Sequence, residues 1–174
     1  MKRIVVIGSP GSGKSTLTRE LAARTSIPAF HLDRLYWQPG WVPHPDLGAF
    51  RDAVDAIVAG DRWILDGGFF DSVGAERFAR ADTVVLLDAP PIVCLFRAVK
   101  RWLRYRGDVR PDLAPGCPEK FDLEFYRYIL TYRAKQIPQG EALIAQYFKG
   151  QQIRLRSNAE RAVFLDARRH ETLG

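Results

Sequence analysis

Apolar positions along this chain follow two alternating periods. Ile4-Val5-Val6-Ile7 is a short β-branched run of the kind buried on both faces of a parallel sheet. Further strands are expected at Ile27–His31, Trp63–Asp66, Thr83–Leu87 and Gln152–Arg156, of which Thr83–Leu87 is the most strongly apolar. Between them the spacing becomes helical. Leu17 and Leu21 stand four apart within Thr16–Thr25. Phe50, Val54, Ile57 and Val58 form a stripe between Asp46, a candidate N-cap, and Gly60, a candidate stop. Pro91 opens a segment expected to run to about Arg106 and close at Gly107, with Ile92, Leu95, Val99 and Leu103 on one face. The spacing predicts further helices over about 121–136 and 141–148, separated by Pro138. Ser157 and Glu160 make an S-x-x-E signature at the start of a last helix. Two stretches have no period, 37–45 and 108–118, and both are rich in proline and glycine, so they read as loops.

Strands that alternate with helices predict an α/β fold: right-handed crossovers, a five-stranded parallel sheet, and helices on both faces in three layers. No repeat or linker interrupts the pattern, and residues 1–174 are expected to form one domain. Ligands of such sheets bind at the carboxyl ends of the strands. Gly8, Asp33, Asp66 and Ser157 all follow strands on that same edge.

The chemistry starts at Gly8-Ser9-Pro10-Gly11-Ser12-Gly13-Lys14-Ser15-Thr16, which fits the phosphate-loop pattern G-x-x-x-x-G-K-[ST]. The glycines let successive backbone N–H groups face one anion, and the helix beginning near Lys14 adds its unpaired donors. Gly8, Pro10, Gly11, Ser12, Gly13, Lys14, Ser15 and Thr16 are therefore the expected nucleotide-binding residues, with Lys14 on the phosphates and the Ser15 hydroxyl on Mg²⁺. Asp66 ends a buried strand beside this loop, where a second magnesium acid is expected; the plainer alternative is an aspartate that starts the Gly67-Gly68 turn.

Charge sharpens this picture. The chain carries a net +6, and residues 97–135 hold ten basic side chains against five acidic ones. Such an excess suits a polyphosphate substrate or a nucleic-acid backbone. Arg97, Arg101 and Arg104 share one helix face, as do arginines that bind phosphate or arginines that merely face solvent. No apolar run approaches the roughly 18 residues of a membrane span. The first strand follows Met1-Lys2-Arg3 directly, so no signal peptide is expected, and Cys94 and Cys117 are expected to be reduced thiols of a cytoplasmic protein. His31, His44 and His170 lack metal-ligand spacing. Tyr36, Trp37, Trp41, Phe69 and Phe70 suit either a ring-bearing ligand or a packed proline-rich loop.

With these residues in view, the chain resembles the P-loop small-molecule kinases related to adenylate and shikimate kinases. Within that group it is most similar to bacterial topology modulation, or adenylate kinase-like, proteins. The stretches His31–Trp41 and Arg106–Lys120 carry the likeness most specifically. Trp63-Ile64-Leu65-Asp66-Gly67 is similar to the adenylate kinases, but Gly68-Phe69-Phe70 follows where those have Phe-Pro-Arg. The resemblance implies an ATP- and Mg²⁺-dependent phosphotransferase acting on a small-molecule acceptor such as a nucleotide or nucleoside; the chain itself is expected to be a monomer or weak dimer. It implies Arg97 and Arg101 on the ATP phosphates, Asp33 on the acceptor hydroxyl, an acceptor loop at about 34–48 and a lid at about 107–120. Arg133, or Arg127 beside it, is expected to swing in with the lid as a catalytic cation, and Ser157 to contact the nucleotide. The competing expectation is a nucleic-acid-associated ATPase or regulator of DNA topology, which needs the basic residues on the outer surface.

Overall fold

The computed structural model describes residues 1–109 and 113–168; Arg110, Pro111 and Asp112 of the expected lid, and His170, lie outside the described residues. The first strand, β1 (Arg3–Gly8), leads into α1 (Lys14–Thr25). Then come β2 (Ala29–His31), α2 (Leu32–Tyr36), β3 (Trp37–Gln38), β4 (Val42–Pro43) and α3 (Leu47–Val58). They are followed by β5 (Trp63–Asp66), α4 (Phe70–Arg80), β6 (Thr83–Leu87) and α5 (Pro91–Arg104). The chain continues through α6 (Leu123–Tyr147), β7 (Gln151–Leu155) and α7 (Asn158–Asp166).

Five strands pair in parallel in the order β2-β5-β1-β6-β7, which places β1 at the centre, and the expected three-layer fold is observed. Successive β1 side chains alternate between the two faces. Ile4 and Val6 pack with Leu17 and Leu21 of α1 and with Phe164 and Leu165 of α7. Val5 and Ile7 join the larger cluster on the other face, with Phe50 and Val54 of α3, Phe70 and Phe78 of α4, and Tyr132 and Ile144 of α6. Helix α5 leans on α6 through Cys94, Ala98, Tyr126 and Ile129. No helix among the described residues is long and apolar enough to cross a membrane.

Four local outcomes differ from the sequence pattern. Residues 121–148 are not two helices: α6 runs unbroken through Pro138. Pro138 and Ala134 are both exposed, so solvent can serve the carbonyl that proline leaves without a donor, while Ile137, Gly140 and Ile144 anchor the inner face. Helix α5 stops at Arg104, short of Gly107. The segment 37–43 is not plain loop but contains a two-stranded antiparallel pair, β3 with β4. Helix α4 has no forerunner in the apolar pattern, because two of its five buried positions are Gly74 and Arg77.

The caps follow local chemistry. Asp46 accepts hydrogen bonds from the N–H groups of Gly48 and Ala49, and the Ser157 hydroxyl accepts from Glu160 N. The Glu160 carboxylate reaches back to Arg156 N rather than to Ser157 N, one residue beyond a reciprocal capping box.

Asp82 clamps the start of the central strand. Its Oδ2 accepts from Lys2 N at 2.8 Å and Arg3 N at 2.9 Å, and Oδ1 accepts from Thr83 Oγ1 at 2.8 Å. Partial burial works to raise this carboxyl, but the three donors outweigh it and hold the group below the usual carboxylate range. A folded-state value below the unfolded one contributes stability above the ordinary carboxyl range, and that contribution is lost as pH falls through the folded value. Asp82→Asn is therefore expected to lower the urea midpoint at pH 7, with the gap to wild type closing below about pH 4. A gap of equal size at pH 7 and pH 3 would show that ionisation of Asp82 is irrelevant to the clamp.

Candidate active site

The loop between β1 and α1 is shaped by two backbone approaches. At Gly8 (φ +148°) a Cβ would lie 2.5 Å from the carbonyl oxygen of Leu87 on β6. At Gly11 (φ +80°) it would lie 2.2 Å from the carbonyl oxygen of Cys94 on α5. Only glycine fits either position. The loop thus nests against the next strand and helix, and Gly13 turns it into α1. Lys14 folds back over it, its Nζ donating to Gly8 O at 2.8 Å and Ser9 O at 3.1 Å. Burial pushes the Lys14 ammonium below the usual lysine range, while the carboxylates of Asp66 and Asp33 pull it back up.

A cleft of about 920 Å³ opens over this loop, large enough for a nucleotide and a second small molecule. Gly8, Pro10, Gly11, Gly13, Lys14, Ser15 and Thr16 line it, and so do Asp33, Arg97 and Arg101. Gly8 and Arg101, 93 residues apart in sequence, are thereby brought to one surface. Arg97 spans the loop and the last helix, donating to Ser12 O at 3.1 Å and to Asn158 Oδ1 at 2.9 Å. Arg101 ion-pairs with Glu119 at 2.9 Å. Asp66 sits behind Lys14, 3% exposed, with its Oδ2 hydrogen-bonded to His31 Nδ1 at 2.8 Å across the β2–β5 pairing. Arg104 and Lys120 also line the cleft, so four of the ten basic side chains of 97–135 face it, while Lys100, Arg106, Arg127 and Lys135 are exposed elsewhere.

Five expected site residues, Arg133, Arg127, Ser157, Ser12 and Asp66, are absent from the cleft lining. Arg133 is not on the cleft wall; its guanidinium is held by the buried Asp88 at 3.0 and 3.2 Å, and Asp88 is shared with Arg154. Arg154 in turn pairs with Glu141, which makes a brace between α6 and the β6–β7 edge. Arg127 is exposed on α6 and does not line the cleft. Ser157 spends its hydroxyl on the α7 cap and is absent from the cleft lining. Ser12 lies buried under the loop, with its N–H donated to Ser9 O at 3.0 Å.

The expected acceptor loop and lid form one unit. Leu113, Ala114 and Cys117 pack against Trp37 and Trp41. Gly40 N donates to Gly116 O at 2.7 Å, Trp41 Nε1 to Pro118 O at 2.8 Å, and Cys117 Sγ to Gln38 O at 3.2 Å. The aromatic set splits accordingly: Trp37 and Trp41 seal this joint, while Tyr36 packs between Phe50 and Phe69 at 5.3 and 4.7 Å.

Of the far wall of the cleft, the sequence offered Phe69 and Phe70 as aromatic candidates but not the rest. That wall contains Gly67, Gly68, Phe69, Asp71, Tyr128 and Tyr132. Phe69 adopts the left-handed region (φ +51°), a strained backbone for an aromatic residue. Beneath it Arg77, fully buried, donates Nη1 to Gly67 O at 2.9 Å and Nη2 to Gly68 O. Desolvation lowers its guanidinium to about 10. The signals that could have found this wall were a helical stripe through Phe70, Gly74, Arg77 and Phe78 that tolerates one glycine and one arginine, and the inward spacing of Ile129 and Tyr132.

Comparison with known proteins agrees with this architecture. No family model matches the chain. A shikimate kinase of Bradyrhizobium diazoefficiens is 30% identical over 129 residues, which are 68% of this chain and 60% of that protein, so the match spans less than two thirds of the relative. Two solved structures superpose over nearly the whole chain. One is a shikimate kinase from Acinetobacter baumannii in complex with shikimate (TM-score 0.54, 18% identity, 96% of this chain and 90% of that one). The other is a shikimate kinase from Bacteroides thetaiotaomicron (TM-score 0.56, 20% identity, 95% of each chain). The fold is the shikimate kinase-like α/β fold, with its phosphate loop at the carboxyl edge of the sheet.

The geometry makes Gly11 a sharp test of the cradle. Gly11→Ala is expected to weaken ATP binding by about 100-fold, the loss of roughly two charge-assisted hydrogen bonds. Calorimetric titration measures this, with thermal melting alongside to separate a bent loop from a lost fold. Wild-type affinity in a folded variant would mean that the loop does not hold the phosphates.

Proposed function

We propose that this protein is an ATP-dependent phosphotransferase that moves the γ-phosphoryl group of ATP to a hydroxyl of a small-molecule acceptor. The observation that carries this is the shared cleft: Lys14 and the phosphate loop at one end, Asp33 and an aromatic wall at the other. Lys14, the loop N–H groups, Arg97 and Arg101 supply the positive charge that transfer requires as electron density grows on the phosphoryl oxygens. Their present partners, Gly8 O, Ser9 O, Ser12 O and Glu119, are the groups that an incoming polyphosphate would replace or share. Asp33 orients the acceptor hydroxyl and takes its proton. The new O–P bond forms as the bond between the γ-phosphorus and the bridging oxygen breaks, leaving ADP.

The Ser15 hydroxyl and the Asp66 carboxylate are hard oxygen donors on the same edge of the sheet, which suits Mg²⁺, a cation that keeps several waters. Bound with ATP, the ion would neutralise charge on the phosphates. His31, bonded to Asp66, holds that carboxylate in place.

Several observations support the kinase reading over a nucleic-acid-associated ATPase. Arg97, Arg101, Arg104 and Lys120 line the cleft, which accounts for four of the ten basic side chains that motivate the alternative. The relatives are named as kinases, and one solved neighbour is described in complex with shikimate, a small hydroxylated molecule. We take the acceptor to be a hydroxyl-bearing ring, a class that includes nucleosides and cyclic polyols. Within the two stretches behind the likeness to topology modulation proteins, 31–41 and 106–120, Trp37 and Trp41 pack on residues 113–118, which fits an acceptor site particular to this group.

Acceptor-dependent ADP release over a panel of nucleosides, sugars, cyclic polyols and shikimate tests the proposal. Lys14→Ala is expected to lower kcat/KM by about 10²–10³-fold. Asp33→Asn is expected to lower kcat by about 10²–10⁴-fold with little change in KM for ATP. No acceptor-dependent ADP with any compound, or turnover untouched in Lys14→Ala, would overturn it.

A further inference from the structure

Helix α5 turns its charges inward and its large apolar side chains outward. A surface helix ordinarily does the reverse, with its apolar stripe on the core and its charges in water. In α5, Arg97 reaches Ser12 O on the phosphate loop and Arg101 reaches Glu119. Two small side chains, Cys94 and Ala98, make the buried contact with Tyr126 and Ile129 of α6. The large apolar residues are left outside: Ile92 is 66% exposed, Phe96 67% and Leu103 61%. They stand at i, i+4 and i+11, and the half-buried Val99 at i+7 completes one stripe along the helix.

The stripe widens onto α6. The two helices run antiparallel: Asp88, just before α5, pairs with Arg133, while Trp102, near the end of α5, meets Phe121 at 5.3 Å, and Phe121 meets Tyr126 at 5.2 Å. Leu130 stands one turn after Tyr126, and Leu123 seven residues before Leu130, on the same side of α6. Phe121, Leu123 and Leu130 are all exposed. Six of the eleven large apolar side chains exposed among the described residues therefore lie on this helix pair or at the entry to α6. Exposed apolar residues scattered singly need no explanation, but this concentration makes a patch.

Charge selects what the patch fits. Helix α5 carries four cations and no acid. Lys100, one turn from Phe96, is exposed, and so is Arg127, which lies between Leu123 and Leu130 on α6. The Arg106 guanidinium lies over the Trp102 ring at 5.7 Å. These three cations rim the patch, and none of them lines the cleft. The neighbouring acids Glu119, Asp122 and Glu124 do line the cleft, which leaves Asp108 as the described acid of residues 91–135 that lies away from it. A second copy docked α5 to α5 would set cations against cations, with no acid in either helix to answer them. Ile92, Phe96 and Leu103 line neither of the two cavities, so the stripe is a ridge and not a groove for a partner helix. A bilayer surface accepts a ridge: apolar side chains enter the acyl boundary while the rim cations sit among anionic headgroups.

We propose that the outer face of α5, with the adjoining flank of α6, docks the protein on an anionic lipid bilayer. Ile92, Phe96 and Leu103 enter the interface, and Lys100, Arg106 and Arg127 meet the headgroups. Arg97 and Arg101 leave the other side of the same helix, so a docked molecule keeps its phosphate loop open to solution. The surface is independent of the kinase proposal, and neither stands or falls with the other.

Co-sedimentation of the whole chain with vesicles tests this. The chain is expected to pellet with equimolar phosphatidylglycerol and phosphatidylcholine, to stay in solution with phosphatidylcholine alone, and to be released as salt rises. Phe96→Ser and Leu103→Ser alter exposed positions only, and each is expected to weaken binding about ten-fold, the loss of one apolar side chain from the interface. Lys100→Glu is expected to weaken it on anionic vesicles as well. ATP affinity by calorimetry should equal wild type in all three variants. Phe96→Trp adds a probe: its emission should move to the blue on anionic vesicles by more than that of wild type, which adhesion by charge alone would not produce. The proposal is overturned if the chain ignores anionic vesicles, if neutral vesicles bind it equally, if Phe96→Ser binds as wild type does, or if duplex DNA at the same salt binds it while vesicles do not. A concentration-dependent dimer that is lost in Phe96→Ser, with no vesicle binding, would assign the stripe to a second copy and overturn it too.

Discussion

The active surface depends on one steric constraint: the phosphate loop must approach two neighbouring backbones more closely than any side chain allows. Gly8 lies against Leu87 and Gly11 against Cys94, at separations where a Cβ would collide with a carbonyl oxygen. That contact ties the loop to the central strands and to α5 at once. Because α5 is fixed there, Arg97 and Arg101 arrive over the loop instead of facing solvent. The register of β1 between β5 and β6 carries Asp66 to the same edge, beside Lys14. A parallel sheet gathers such groups because all its strands end on one side.

Gathering cations has an electrostatic cost, and the structure meets it internally. Lys14 donates to two loop carbonyls, Arg97 to a third, and Arg101 pairs with Glu119. These partners hold the cations together in the geometry an anion needs. Elsewhere the arginines are structural. Arg133 and Arg154 share Asp88 and lock α6 to the sheet edge, and Arg77 shapes the wall beneath Phe69. One residue type thus serves as candidate phosphate ligand, as brace and as backbone clamp, and only its surroundings separate the roles.

The joint between the β3–β4 hairpin and residues 113–118 ties together two segments that both contribute to the cleft lining. Trp37, Trp41, Leu113 and Cys117 are packed together, and three hydrogen bonds close the seam. A ligand that displaces the hairpin at the acceptor end must therefore displace the covering segment as well, or part the seam. The packing gives the two stretches a common fate that neither stretch announces alone.

Much of this was legible in the chain itself. Apolar runs marked the three central strands β1, β5 and β6, which are buried on both faces, and the edge strands β2 and β7 were placed from shorter, mixed segments. The glycine spacing marked the phosphate loop, because a backbone nest tolerates few alternatives. The fate of the arginines was not legible: Arg97 and Arg133 look alike in sequence, and only the packing of α5 on α6 sends one to the loop and the other to Asp88. Helix α4 was hidden because Arg77 fills a core position, and nothing short of the folded structure supplies two glycine carbonyls to satisfy a buried guanidinium. Local sequence determines which segments extend, coil or turn, since those preferences act within a few residues. The tertiary structure alone decided which polar groups face the cleft, because that depends on contacts between residues far apart in the chain.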